Sequence, residues 1–231
     1  SDGDTIGEWR DLSGNGYDVL QNDVNLQPTI QTSGDNQIVK FDNDNDMMSA
    51  VDGGITEFNG DSRTIIMLLK QEVDDNAAAG SVLFSTRSTG VNNGMTMSYN
   101  ADQTLIAYTR ENFGAEHTTT EVFNLNDYHL IAFRTNASVQ ELMNGGKVLV
   151  SGNKDGWNLQ TNDNFTLARE AGTDYYFKGE MAEILIFNTY IENSDLVNIN
   201  YYLSTKWGLE STVDSDGDGT LDELDVFPMD A

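Results

Sequence analysis

The chain has 231 residues, 38% of them hydrophobic and 10% aromatic, which is enough to bury one sizeable core and is an ordinary length for a single all-β domain. Its 12 basic against 38 acidic side chains give a formal charge of −26 and a sequence pI near 4.1, excluding nucleic acid and an anionic membrane surface as partners, since both need clustered Lys and Arg. Cysteine is absent, which excludes disulfides, thiolate catalysis and Cys-ligated metal centres, and no apolar run approaches the roughly 20 residues that insert across a bilayer.

The chain opens at Ser1 with no Met or signal-like segment and reads as a piece of a longer protein. Many Gly, Asn and Asp with only 2 Pro predict short strands joined by tight polar turns. In chain order, strands are expected at Tyr17–Gln21, Gln37–Phe41, Thr64–Lys70, Ser81–Thr86, Met95–Tyr99, Thr104–Thr109, Thr120–Phe123, Tyr128–Thr135, Gln140–Met143, Lys147–Ser151, Asn164–Ala168 and Phe177–Asn188. Turn formers separate them: Ser13 to Gly16, Asn43 to Asp46, Asn92 to Gly94 and Asn144 to Gly146, with Asn144-Gly145 the clearest hairpin. Ile65 to Leu69, and Ala182 to Phe187 interrupted by Glu183, are apolar on both faces and suit central strands covered from both sides. After Ser194 as N-cap, Leu196, Ile199, Leu203 and Trp207 recur at helical spacing and Gly208 stops the helix, whose Trp207 face should pack on the sheets. With no other helix of that length, the fold class is all-β with one C-terminal helix.

Past Leu209 the composition becomes acidic. Carboxylates at Asp214, Asp216 and Asp218 followed by Gly219 let a short loop wrap one hard cation, with the Thr220 carbonyl and Asp222 or Asp225 completing a calcium site. Asp225 stands where a helix–loop–helix calcium site has its bidentate Glu, but no helical pattern follows before Pro228. A solvated acidic linker is the plain alternative. Residues 1–209 are thus expected to form the β domain and 210–231 a calcium-binding tail ordered by its ion. A second candidate cation site is the turn carrying Asp42, Asp44 and Asp46.

Trp9-Arg10-Asp11-Leu12-Ser13-Gly14-Asn15-Gly16, then Gln27-Pro28-Thr29 and Val39-Lys40-Phe41-Asp42, resembles the opening of LamG-like jelly-roll domains of the concanavalin A-like lectin/glucanase superfamily. The run from Phe177 to Asn188 and the helix ending at Trp207 and Leu209 are similar to that family's closing strand and helix. The tail is similar to a thrombospondin type 3-like calcium repeat. The resemblance implies two facing antiparallel sheets of a kind used to bind glycans or protein surfaces, with some relatives that hydrolyse or cleave glycans.

Catalytic patterns are sparse. The family's hydrolases carry Glu-x-Asp-x-x-Glu on one strand; Glu180 and Glu183 lack that spacing, and their odd separation would put them on opposite faces of a regular strand. Gly60-Asp61-Ser62 precedes a strand and reads as a turn. His129 opens an apolar strand and reads as structural, whereas His117, in a polar stretch read as a loop, could touch a ligand. Noncatalytic binding is the better fit, because sugar rings are held by aromatic faces and planar polar side chains. Trp157, in a polar run, leads the candidates, with Tyr175, Tyr176, Tyr108, Asn112 and His117 as a possible common rim. The expected function is an extracellular or cell-surface recognition module of a larger bacterial protein, binding neutral glycans with calcium beside neighbouring modules; a calcium-stiffened adhesin spacer or protein-binding domain is the alternative.

Overall fold

The computed structural model describes residues 1–42, 44–50, 55, 62–72, 80–87, 94–110, 116–153, 165–170 and 172–230. Its strands are β1 (Glu8–Trp9), β2 (Val19–Leu20), β3 (Thr29–Ser33), β4 (Asn36–Asp42), β5 (Met48–Ala50), β6 (Arg63–Gln71), β7 (Ser81–Ser85), β8 (Gly94–Tyr99), β9 (Thr104–Arg110), β10 (Glu116–Val122), β11 (Tyr128–Thr135), β12 (Val139–Asn144), β13 (Lys147–Asn153), β14 (Thr166–Leu167) and β15 (Lys178–Phe187). They form two antiparallel sheets, one ordered β13-β12-β11-β6-β15-β4-β3 and the other β1-β2-β5-β14-β7-β8-β9-β10. One helix, α1 (Asn193–Trp207), follows the last strand. The molecule is mostly β, 46% strand, and the two sheets make a sandwich consistent with a jelly roll. The expected turn residues Asn43, Gly60, Asp61, Asn92 and Asn93, and Asn164 at an expected strand start, lie outside the described residues.

Alternation explains why two strands are apolar throughout. Along β6, Ile65, Met67 and Leu69 point into the core between the sheets, while Ile66 and Leu68 point outward into a second core under α1. β15 is its neighbour and divides likewise, with Met181, Ile184 and Ile186 on the inner core and Ala182, Leu185 and Phe187 on the outer one. Both strands therefore need hydrophobic side chains on each face. α1 covers the outer face with Leu196 and Leu203 buried and Ile199 and Trp207 partly so.

Local details depart from the sequence reading. The helix begins earlier than expected: its N-cap is Glu192, whose extended backbone accepts the first helical bond from Leu196 N–H at 2.9 Å, so Ser194 lies within the first turn. Gly208 ends it in the left-handed conformation at φ 64°. The β12–β13 turn is centred on Gly145 and Gly146 rather than Asn144-Gly145, because Asn144 still pairs with Lys147. β10 starts at Glu116, four residues before the expected Thr120, and β1, β3 and β5 were not anticipated. His117 therefore lies in a strand, where its ring sits against the Cα of Gly152 in β13 and closes one side of the sandwich.

Candidate functional site

The acidic tail folds back onto the sandwich. Val213 is buried in the outer core with Leu196 and Leu203, Asn200 Nδ2 donates to Ser215 O at 3.2 Å, and Gly146 N–H donates to Asp214 O at 2.8 Å. This brings Asp214, Asp216 and Asp218 together, with one carboxylate oxygen of each within 4.8 Å of the others. Backbone amides hold the carboxylates in place: Asp214 accepts from Gly217 and Gly219, Asp216 from Asp218, and Asp218 from Thr220. Asp216 Oδ2 is buried without a hydrogen-bond partner. Burial, then the charges of Asp218, Asp225 and Asp214, push the Asp216 carboxyl above its ordinary range. Converging oxygens, one of them a buried acceptor with nothing to accept from, fit a hard cation. Asp222 is engaged otherwise, its two oxygens accepting from Ser215 N–H and Oγ at 2.8 Å each and pinning the loop ends. Of the two expected final ligands, Asp225 is the one whose charge reaches Asp216.

The second acidic turn is built differently. Asp42 Oδ1 accepts from the amides of Asp44 and Asn45, and Asp46 Oδ2 accepts from Asp42 N–H at 3.1 Å. Asp46 is buried, and burial followed by the neighbouring Asp42 charge raises its carboxyl to about 7.

Of the expected sugar-contacting residues, Trp157 and Asn112 lie outside the described residues. The backbone of Tyr108 sits in β9 opposite Thr96 of β8 and Glu116 of β10. Tyr176 bridges Arg169, whose guanidinium lies 5.2 Å from the Tyr176 ring centre, while Tyr175 beside it is 40% exposed. β7 and β8 intervene between β14, which precedes this loop, and β9, so the Tyr175–Tyr176 pair is well removed from His117 and Tyr108. His129 has Nε2 3.0 Å from Asn124 O and its ring edge-on to Phe123.

Glu180 and Glu183 require a correction. A bulge between Met181 and Glu183 adds one residue to β15 relative to β6, which cancels the odd separation and puts both carboxylates on the outer, helix-bearing face. Each is engaged there: Glu180 accepts from Tyr128 OH and pairs with Lys70 at 2.8 Å, and Glu183 Oε2 accepts from Lys206 Nζ and Trp207 Nε1, both at 2.7 Å.

Beyond that bulge lies a feature the sequence reading missed. β15 pairs with β4 only through Lys178–Met181, yet continues to Phe187 alongside β6. Where β4 and β15 stop pairing, a groove of about 710 Å³ opens along the unmatched stretch of β15, walled by Ile184, Ile186, Trp207, Trp9 of β1 and Tyr17 in the segment between β1 and β2, with Asn36 and Gln37 of β4 at its end. The Trp9 to Gly16 run was read only for its resemblance to a jelly-roll opening, and nothing in it signals a partner wall contributed by the far end of the chain.

A family model described as the concanavalin A-like lectin/glucanases superfamily (Laminin_G_3) matches residues 56–196. Among solved structures, the chain is similar to the binding domain of Paraclostridial Mosquitocidal Protein 1, with TM-score 0.67 and 14% identity over 85% of this chain and 49% of that one. It thus spans about half of that structure. It is also similar to the Ruminococcus gnavus IT-sialidase CBM40 bound to α2,3-sialyllactose (TM-score 0.53, 12% identity, 62% of this chain and 84% of that one). A third is domain 4 of AbnA, a GH43 extracellular arabinanase from Geobacillus stearothermophilus, in complex with arabinotriose (TM-score 0.54, 12% identity, 71% and 77%). Identities this low show the shared fold. No significant match was found among curated proteins. The family match covers more than half of the chain and agrees with the sandwich described above, so the chain belongs to the concanavalin A-like lectin/glucanases superfamily.

Proposed function

We propose that this chain is a noncatalytic carbohydrate-recognition module of an extracellular or cell-surface protein, and that its acidic tail holds calcium. The observation that carries the glycan reading is the sandwich it shares with modules whose structures hold sialyllactose and arabinotriose. A noncatalytic role is supported by β15, where the carboxylates nearest to a hydrolase pair are each tied to a cation and a further donor under or beside the helix face instead of opposing each other across a cleft. Calcium is supported by the convergence of Asp214, Asp216 and Asp218 around a buried, unpartnered oxygen, and Asp225 and the Thr220 carbonyl would complete the set. High acidity disfavours polyanionic ligands and favours neutral sugars.

A glycan array probed in calcium and again in chelator tests the reading, with Trp157→Ala and Tyr175→Ala variants assayed on any hit. Hits on neutral glycans support it. A blank array in both conditions overturns it in favour of a calcium-stiffened spacer or protein-binding domain, and release of reducing ends or unsaturated products from a polysaccharide panel overturns the noncatalytic part.

A further inference from the structure

We infer that the glycan seat is the groove beside the free stretch of β15, and that it selects neutral oligosaccharides bearing methyl groups, such as N-acetylated or deoxy units; this rests on the carbohydrate reading above. The groove's volume of about 710 Å³ lies in the range that small ligands occupy. Its walls combine the two chemistries a sugar ring presents. Trp9, Tyr17 and Trp207 supply half-buried aromatic surface for C–H faces, and the Trp207 ring is held by its Nε1 bond to Glu183 at 2.7 Å, so no ordering is needed on binding. Asn36 and Gln37 bring planar amides that no hydrogen bond ties to another described side chain, leaving donors and acceptors for ring hydroxyls.

The remaining surface sets the selectivity. Ile184 and Ile186 face the inner core yet stay partly exposed, on the stretch of β15 beyond Met181 where its pairing with β4 has stopped. An apolar wall beside aromatic and amide groups suits a methyl substituent better than another hydroxyl, which would be stripped of water with nothing to bond. Both cations in the groove lining are already paired, Lys206 with Glu183 and Arg10 with Glu8, and the Asp11 carboxylate, held by Ser13 and the Tyr17 amide, adds negative charge, so nothing there invites an acidic sugar.

The test uses the full chain in calcium with three probes measured by calorimetry: tri-N-acetylchitotriose, a fucosylated trisaccharide and cellotriose. Methyl-bearing probes are expected to bind about fourfold or more tighter than cellotriose, the ratio one buried methyl supplies. Gln37→Ala, at the exposed groove end, and Trp9→Ala should each weaken binding by about tenfold, with Gln37→Ala guarding against loss of fold in the tryptophan variant; Val122→Ala, exposed on β10 at the opposite edge of the sheet from β1, should change nothing. Binding that is insensitive to Gln37→Ala and Trp9→Ala overturns the location while leaving the carbohydrate reading intact. Equal affinity for cellotriose overturns the methyl selectivity, failure of all three probes overturns the whole assignment, and a blank glycan array beside it overturns the carbohydrate reading itself.

Discussion

The amide of Gly146 donates to the carbonyl of Asp214 at 2.8 Å, and this contact is so close that a Cβ at position 146 would lie 2.5 Å from Gly217 N and 2.6 Å from Ser215 O. The β12–β13 hairpin tip and the acidic loop are therefore fitted to one another backbone to backbone. Gly146→Ala is expected to unseat the loop at a cost of about 1–3 kcal/mol, typical of overpacking a fitted site. Differential scanning calorimetry should show a lowered midpoint, and limited proteolysis should cut within 210–225 in the variant before the parent.

Calcium binding should depend on the buried oxygen. Asp216→Asn is expected to abolish the calorimetric heat of calcium titration or weaken affinity by at least about tenfold, because one anionic ligand is lost from a clustered set. Asp222→Asn should act differently, loosening the loop through Ser215 and lowering affinity less. A calcium-dependent rise in thermal midpoint, present in the parent and missing in Asp216→Asn, checks the linkage between ion and fold.

Asp46 should shape the pH dependence of stability in chelator. Its carboxyl is raised to about 7 in the folded chain from an ordinary 3.8, so the unfolded chain releases this proton first as pH rises. Stability from this group is present in full below pH about 4 and is lost progressively up to about 7, an effect of up to about 4 kcal/mol. Denaturant midpoints measured across that window should fall with rising pH, and Asp46→Asn should flatten the profile.

Glu183 anchors the end of α1 through Lys206 and Trp207. Glu183→Ala is expected to destabilise the chain by about 1–2 kcal/mol, since it strips the indole N–H of its acceptor as well as the ion pair. Glu183→Gln keeps a carbonyl acceptor and should lose about half as much, a difference readable in urea midpoints.

Where one local rule acted alone, the sequence was legible. The double-sided apolar runs of β6 and β15, the glycine turn between β12 and β13, the Gly208 stop and the alternating Asp214, Asp216 and Asp218 each carry their own signal. β5, only three residues long, is too short to show a period. β10 reads Glu-His-Thr-Thr-Thr-Glu-Val, polar on both faces, so its strand character comes from pairing with β9 at the sheet edge and not from its pattern. The faces of Glu180 and Glu183 were misread because parity assumes an unbroken ladder. The groove needed the two ends of the chain to meet, which no local window reveals.

At the bulge in β15, Met181 pairs with Leu69 and Glu183 with Leu68, which leaves Ala182 as the surplus residue, while the inward and outward side chains on either side of it keep their assignments. Removing that one codon would restore plain alternation without moving a single core side chain to the wrong face. The straightened strand could then zip further along β4 toward Asn36, narrowing the slot where the two now part. A ligand-sized opening in this sandwich thus accompanies one surplus residue, and deleting Ala182 is expected to narrow it while the remaining core positions keep their faces.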